Sequence, residues 1–476
     1  MKRFLALILA LTVICSCAMS NVLTLSAASD TGVSGFTATS GDKKVTLSWK
    51  AVSGVTSYDV FWKRSTATEW QKAGSTKKKS ANITGLNNDV SYDFKISANG
   101  VESASLTLSP SATKKTTVSA PDAKPSSDTN KASMESAEEA VKNFGAGYNI
   151  GNTFDSCGTW LSSNASVKSF ETAWGNPQVT EEYIKTLKKQ GIGAIRLPVT
   201  WYLNMDKNNT IRKAWLDRVQ EVVDWILDND MYCIINVHHD TGTEGWIIAS
   251  DSGYKNAKDK FGKIWEQVAE RFKDYGDHLI FECMNETLND ADDWNATDAA
   301  SRKAITKYQQ LFIDKVRASG GNNATRNLVV STYAASSNTT IINDFVLPKD
   351  TVEGHLIMEV HNYDPQGFTW KNATWTKMRD TWGTDQDKRD IDNFMKTLSA
   401  KAKKLGVPVI IGEFGSQDKK NDKDRAAHAG YFVKSATDRG IRCFYWDDGG
   451  EYILINRSTN AILHSTILKA LVDNAK

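Results

Sequence analysis

The chain of 476 residues has almost no net charge, +2 from 58 basic and 56 acidic side chains. Binding nucleic acid through bulk electrostatics needs a basic excess, so that class is excluded. Beyond the first thirty residues no stretch approaches the ~18 consecutive apolar residues of a membrane helix, and no membrane span is expected. Cysteine is sparse: Cys15 and Cys17 sit near the start, and Cys157, Cys233, Cys283 and Cys443 lie far apart without CxxC spacing. That pattern is neither a disulfide framework nor a zinc site. Cys233, Cys283 and Cys443 fall inside apolar, strand-like runs, where small buried thiols are expected. No HExxH, His-x-His or GxSxG occurs, which argues against metal hydrolysis and a serine nucleophile. His238 and His239 are adjacent, and on a regular strand they would point to opposite faces. No metal or other cofactor is expected.

What is present is a globular composition, 40% hydrophobic and 24% charged, with 15 tryptophans. Trp is a costly core filler because its N–H needs a partner. The length corresponds to two or three domains. Met1-Lys2-Arg3 precedes an apolar run over 4–14, and Ser26-Ala27-Ala28 offers small residues for cleavage. Residues 1–28 therefore read as a signal peptide and the protein as secreted. The rival reading, from Ile14-Cys15-Ser16-Cys17, is a lipoprotein acylated at Cys17.

Residues 30–117 are rich in Ser, Thr and Val and carry twelve basic against seven acidic residues. Short alternating runs at 44–50, 58–64, 91–98 and 103–108 predict an antiparallel β-sandwich over 30–115, with a hairpin turn at Asn99-Gly100. Trp49 in an early strand, and Leu86 six residues before Tyr92, resemble fibronectin type III domains, and the resemblance covers about ninety residues. Without an evident row of exposed aromatics, this module reads as a spacer or folding partner rather than a sugar binder. Lys77-Lys78-Lys79 reads as a solvated loop. Residues 116–133, with Pro121, Pro125 and many Ser, Thr and Lys, read as a flexible linker.

The region 134–476 repeats one pattern: a strand-length apolar run, a polar or aromatic end, then a helical stretch. The runs are 145–150, 194–199, 232–237, 279–284, 327–332, 356–360, 407–411 and 441–446. Amphipathic stretches such as 181–190 and 215–229 lie between them. Eight such units predict an α/β fold, the (β/α)8 TIM barrel. A doubly wound sheet would carry a phosphate loop, and Gly145-Ala146-Gly147 is only a fragment of one.

Chemistry in a TIM barrel gathers at the C-terminal strand ends. Those ends carry, in order, Asn149 to Asn152, Arg196, His238-His239-Asp240, Asn285-Glu286, Tyr333, His361-Asn362-Tyr363, Glu413 and Trp446-Asp447-Asp448. Two Glu on separate strands suit paired-carboxylate chemistry, one protonated to donate and one ionised to attack. The apolar approach to Glu286 predicts a raised pKa, and Arg196 is positioned to hold Glu413 ionised. Trp446 offers a flat apolar face to a sugar ring.

These residues resemble glycoside hydrolase family five, nearest to its bacterial endoglucanase subfamily four. The resemblance rests on Gly147-Tyr148-Asn149-Ile150-Gly151-Asn152-Thr153, Glu171-Thr172-Ala173-Trp174-Gly175-Asn176-Pro177 and Ile195-Arg196-Leu197-Pro198-Val199. It continues through Asn236-Val237-His238-His239-Asp240, Met284-Asn285-Glu286, His361-Asn362-Tyr363, Ile411-Gly412-Glu413-Phe414-Gly415 and Tyr445-Trp446-Asp447. It implies a retaining hydrolase with Glu286 as acid/base and Glu413 as nucleophile. By the same resemblance Asn285 contacts the sugar 2-hydroxyl, Arg196 and Tyr363 position Glu413, His238 and His361 line the subsite, and Trp446 is its floor. Asn152, Trp174 and His239 are implied as glycone contacts or their support. Asp448 and Asn456 depart from the usual pattern, Asp448 as an extra carboxylate near the mouth.

The resemblance implies an endo-β-1,4-glucanase acting on β-glucan polysaccharide or oligosaccharide, and the protein is expected to be secreted and monomeric. Xyloglucanase, lichenase, mannanase and xylanase activities are alternatives on the same scaffold. From another class, a barrel that has lost activity and binds glycans at the cell surface is the competing expectation. Trp246, Trp294, Trp370, Trp375 and Trp382 are candidates for the cleft wall.

Overall fold

The computed structural model describes residues 36–50, 55–67, 69–98, 101–103, 105–112, 117–119, 134–162, 164–243 and 245–476. The expected signal segment, with Cys17 and the cleavage site, lies outside the described residues. The chain divides into two compact units, Met1–Ala132 and Ser133–Lys476. No helix among the described residues is long and apolar enough to cross a membrane.

The first unit is antiparallel throughout. Its strands are β1 (Thr37–Gly41), β2 (Lys44–Ser48), β3 (Tyr58–Arg64), β4 (Gln71–Thr76), β5 (Ser80–Thr84), β6 (Tyr92–Ala98), β7 (Val101–Glu102), β8 (Leu106–Leu108) and β9 (Thr117–Ser119). One sheet runs β5-β2-β1-β9 and the other β4-β3-β6-β7, with β8 also on β6. Strand β6 buries Tyr92, Phe94, Ile96 and Ala98 and half-exposes the residues between, as a period of two requires. Trp49 is buried edge-on to Tyr58 at 5.3 Å. Beside buried Leu86, the Asn87 N–H donates to Tyr92 Oη at 3.2 Å, so the Leu86–Tyr92 spacing builds a corner. Lys77, Lys78 and Lys79 are exposed as expected. Asn99-Gly100 lies outside the described residues, between the paired Ala98 and Val101.

The linker expectation needs correction at its start. Thr117–Ser119 forms β9, pairing with Thr37–Thr39 of β1. Its Thr-Val-Ser alternation is strand-compatible, and Ser/Thr-rich composition hid it. Residues 120–133 lie outside the described ones.

The second unit is a closed parallel barrel. Strands β10 (Ala146–Ile150), β11 (Ile192–Leu197), β12 (Tyr232–Asn236), β13 (Leu279–Glu282), β14 (Leu328–Ser336), β15 (Leu356–His361), β16 (Val409–Phe414) and β17 (Arg442–Asp447) neighbour one another in chain order. The expected amphipathic stretches are helices at Glu181–Lys189 and Lys213–Asp228. A short helix, Ala137–Asn143, starts with a capping box of Ser136 and Glu139. It packs Ala137, Ala140, Val141 and the following Phe144 against Ala194, Tyr232, Ile234, Ile280, Val329, Ile357, Ile410 and Phe444. These contacts close the N-terminal end of the barrel.

That apolar layer sets the polar one above it. Side chains two apart on a strand share a face. Stepping two residues on from Ala194, Ile234, Ile280, Val329, Ile357, Ile410 and Phe444 gives Arg196, Asn236, Glu282, Ser331, Glu359, Gly412 and Trp446. Charge thus enters the barrel one layer above a sealed apolar floor, where it must be paired.

Several strands run further than their apolar stretches suggested. β15 includes His361, β16 includes Glu413 and β17 continues past Trp446 to Asp447. Polar residues look like strand ends in sequence, but here they continue the ladder into the functional layer. The ladder also breaks between Val360 and His361 and between Ile411 and Phe414. Such bulges re-aim side chains, and this one lets Gly412 and Glu413 both address the interior. In β14, pairing jumps from Ser331 to Ser336, and Ala334 and Ala335 take φ of 53° and 48°. Two consecutive left-handed alanines are a strained turn, and they line the cleft described next.

Candidate active site

A cleft of about 910 Å³ opens at the C-terminal strand ends. Its lining includes His238, His239, Asn285, Glu286, His361, Tyr363, Glu413 and Trp446. The sequence-derived residues therefore converge on one mouth, apart from three. Arg196 is fully buried beneath it. Asn152 and Trp174 support the wall rather than line it. The Asn152 carbonyl accepts from Asn176 Nδ2, and Trp174 Nε1 donates to the Cys157 carbonyl while its ring lies 5.2 Å from that of His239.

The two glutamates face each other. Glu286 and Glu413 each place a carboxylate oxygen within 4.8 Å of the other and of a His361 ring nitrogen. His361 Nδ1 is 2.8 Å from Glu286 Oε1 and 3.7 Å from Glu413 Oε2. Tyr363 Oη donates to Glu413 Oε2 at 2.9 Å, and Arg196 Nη1 donates to Glu413 Oε1 at 2.7 Å. The rest of the guanidinium is occupied. Nε and Nη2 clamp Glu282 at 2.6 and 2.7 Å, Nη2 also reaches Asn285 Oδ1 at 2.9 Å, and Nη1 reaches Asn149 Oδ1 at 3.0 Å. One guanidinium thus sets the orientation of Glu413 and Asn285 together.

Burial raises the Glu413 carboxyl above its ordinary value; the charges of His361 and Arg196 pull it back, and Glu286 adds to the rise. Arg196 is therefore not its dedicated counter-ion, because Glu282 takes most of the fork. Burial disfavours charge on His361, but the carboxylates of Glu413, Glu286 and Glu359 outweigh it and lift the imidazole to about 10. The Tyr363 hydroxyl is raised by burial and by Glu413, so it stays a donor. His238 is pushed well down by burial, then by His239, Arg196 and His361, and is neutral. Asn236 Nδ2 donates to its Nδ1 at 3.0 Å, which puts the proton on Nε2. The His238 ring lies parallel to Trp446, with centroids 5.8 Å apart.

Some expectations change. Glu286 is not enclosed by apolar residues; its side chain is 23% exposed. The buried carboxyl of that run is Glu282, which faces the barrel interior. His238 and His239 do not point apart, because β12 ends at Asn236 and both lie in the turn beyond, with rings 4.5 Å apart. With Asp155 they bring ligand atoms within 4.8 Å, but Asp155 already accepts the backbone N–H groups of Asn152 and Thr153, and His238 Nδ1 is taken. That donor set is a hydrogen-bonded cluster rather than a prepared cation site. Oδ1 of Asp448 accepts the N–H groups of Gly450 and Tyr452, and Asn456 caps Ser458 and Thr459.

Among the candidate tryptophans, Trp294, Trp370 and Trp375 line the cleft. Trp246 donates to Asp240 and lies under the Lys260 ammonium, and Trp382 packs on His428 and Tyr431. Sequence reasoning gave Asn236 no role and missed Glu282, Glu359 and Tyr452. The first three carry one usable signal: a polar or acidic residue inside an apolar strand run. Tyr452, in a loop, carries none.

A closed (β/α)8 barrel with two facing glutamates, flanked by tyrosine and tryptophan at its mouth, is the architecture of a glycoside hydrolase. Residues 155–451 match the family model for cellulase (glycosyl hydrolase family 5). The chain belongs to glycosyl hydrolase family 5. Over 354 residues it is 40% identical to endoglucanase A of Clostridium longisporum, covering 72% of this chain and 67% of that protein. It is 37% identical to endoglucanase A of Ruminococcus albus, covering 72% and 93%. Among solved structures, a GH5-4 broad specificity endoglucanase from Clostridium longisporum superposes with a TM-score of 0.68 at 39% identity, over 72% of this chain and 99% of that one. A GH5 lichenase from Caldicellulosiruptor sp. F32 gives 0.68 at 36%, over 73% and 99%.

Proposed function

We propose that the chain is an endo-β-1,4-glucanase that cleaves internal bonds of β-glucans with retention of configuration. The observation that carries this is the carboxylate pair, with oxygens of Glu286 and Glu413 within 4.8 Å in an open cleft. Retaining pairs lie ~5–5.5 Å apart, whereas inverting pairs need ~6.5–9.5 Å to admit a water. In the first step Glu286 gives its proton to the glycosidic oxygen as that bond breaks, and Glu413 bonds to the anomeric carbon. In the second, Glu286 takes a proton from water, whose oxygen displaces Glu413. Arg196 and Tyr363 hold Glu413 in line, and both donate to its carboxylate form. Asn285, oriented by Arg196, addresses the sugar 2-hydroxyl. His238 offers its Nε2 proton to a hydroxyl, and Trp446 supports the apolar sugar face.

The cleft's open form and the aromatic groups Trp294, Trp370 and Trp375 support a polymer bound mid-chain. Relatives include a lichenase, and a family 5 enzyme from Prevotella bryantii has been solved with a xyloglucan tetradecasaccharide, so these substrates belong in the same reading. The buried Trp49, the Leu86–Tyr92 corner and the two-sheet order support a fibronectin type III-like spacer, and the N-terminal run supports secretion. Reducing-sugar release from cellulose derivatives, lichenan, xyloglucan, xylan and mannan tests the substrate class. Anomer-resolved NMR of the first product tests retention, and an initial α-anomer from a β-glucan would overturn it.

A further inference from the structure

One buried acid in the polar layer makes no hydrogen bond. Glu359 is fully buried, and neither of its carboxylate oxygens has a hydrogen-bond partner. His361 Nε2 is buried and equally unpartnered. The two orphans face each other. Glu359 Oε1 lies 3.5 Å from His361 Nε2 and 3.5 Å from Arg196 Nε. Space for that oxygen comes from Gly412, where a Cβ would stand 1.7 Å from it. A buried carboxyl without hydrogen bonds is costly, and here its compensation is the charge of two cations.

We propose that Glu359 is a positioning residue for hydrolysis: its Oε1 ties Arg196 to His361 and fixes the imidazole whose Nδ1 holds Glu286 opposite Glu413. The inference rests on the roles proposed above for that pair. His361 is faced by Glu359 on its own strand, Glu286 from the segment after β13, and Glu413 from β16. Arg196 on β11 and neutral His238 beyond β12 stand nearby, with the Tyr363 hydroxyl on Glu413. A carboxylate on the Nε2 side keeps a proton there without using the one on Nδ1. Nδ1–H is then free to donate to Glu286 Oε1 throughout the cycle, including after Glu286 has given up its own proton. Without Glu359, Nε2 loses the carboxylate that holds its proton, the ring becomes neutral at lower pH, and its Nδ1–H meets Glu286 without the full positive charge or the anchor on the far side.

The test uses the full chain with 15N-labelled histidine. There are seven histidines, and the His361 signals are those lost in His361→Asn. In the wild type they should remain those of an imidazolium above pH 8. In Glu359→Gln the ring should lose a proton at least about one pH unit lower, and the alkaline limb of kcat should move with it. There kcat should fall by up to ~10²-fold with KM within about twofold, since positioning rather than binding is lost. Glu359→Asp, which keeps the charge, should recover much of the limb. A neutral His361 in the wild type at pH 7, or a folded Glu359→Gln with unchanged titration and pH limb, would overturn the proposal. Should Glu359→Gln not fold, Glu359→Asp decides, because the shorter side chain keeps the charge but draws the carboxylate back from His361 Nε2 and Arg196 Nε. A His361 titration and alkaline limb both lower than in the wild type support the proposal, and wild-type values for both overturn it. The titration needs no turnover, so it judges Glu359 even if Glu413→Gln retained hydrolysis and sank the catalytic assignment.

Discussion

Arg196 donates to Glu413 at 2.7 Å and, through the other edge of the same fork, clamps Glu282 on β13, two strands away in the barrel. The contact that aims the proposed nucleophile is therefore also a buried structural pair. Lysine cannot serve both partners, because its ammonium is a point charge without the planar fork. Arg196→Lys should lower kcat/KM by about 10²–10³, the scale of one lost preorganised donor. It should also cost about 3–5 kcal/mol of stability, because Glu282 is left buried without its bidentate partner. Steady-state kinetics and denaturant unfolding measure the two effects. A variant of native stability with reduced kcat would show that Glu282 does not depend on the clamp.

The two glutamates should separate by leaving group. An aryl glycoside with an acidic phenol leaves without protonation, so Glu286→Gln should still form the covalent intermediate on it and show a burst, then stall. On polymer the same variant should lose about 10²–10⁴ in kcat. Glu413→Gln should be inactive on both substrates while still binding oligosaccharide. Pre-steady-state release of the phenol reads the difference, and a burst in Glu413→Gln would mean that the roles are reversed.

His361 couples the site to pH. Its value is about 10 in the folded protein and 6.5 in the reference state, so the native state holds the proton more tightly. The stabilisation is fully present below pH 6.5 and is lost as pH rises towards 10. Chemical unfolding of the wild type should show stability falling by up to a few kcal/mol across that window. His361→Asn should flatten the slope. A wild type whose stability rises between pH 7 and 10 would contradict the charged pairing of His361 with Glu286, Glu359 and Glu413.

Most of the barrel was legible because its apolar runs recur with strand length and its chemistry lies at their ends. The functional layer was less so. Glu282 and Glu359 sit inside apolar strands, and sequence shows an acid there without showing that it faces inward onto Arg196. That depends on register, which is set by the apolar floor two residues below. Glu413 could be placed at the mouth, but the bulge beside Gly412 that turns it inward is a break in pairing that periodicity does not encode. The start of the linker was misread for a different reason: β9 is three residues long and gains its strand identity from β1, not from its own composition.

The tryptophans were the part that sequence could not sort, and the structure divides them by exposure. Trp375 is 62% exposed and Trp294 47%, both on the cleft, whereas Trp382 is 8% exposed and packed between His428 and Tyr431. An exposed ring gains little from folding and is free to stack on sugar, so its loss should appear in binding. Trp375→Ala and Trp294→Ala should each raise KM for polymer by about 5- to 30-fold, corresponding to about 1–2 kcal/mol of lost apolar contact, with unfolding unchanged. Trp382→Ala should instead cost about 3–5 kcal/mol of stability and leave KM near the wild-type value under conditions where it is folded. Because short oligosaccharides need not reach the outer rings, the KM effect should shrink from polymer to a soluble trimer. An equal effect on both would place Trp294 and Trp375 beside the cleavage point and not along the chain's path.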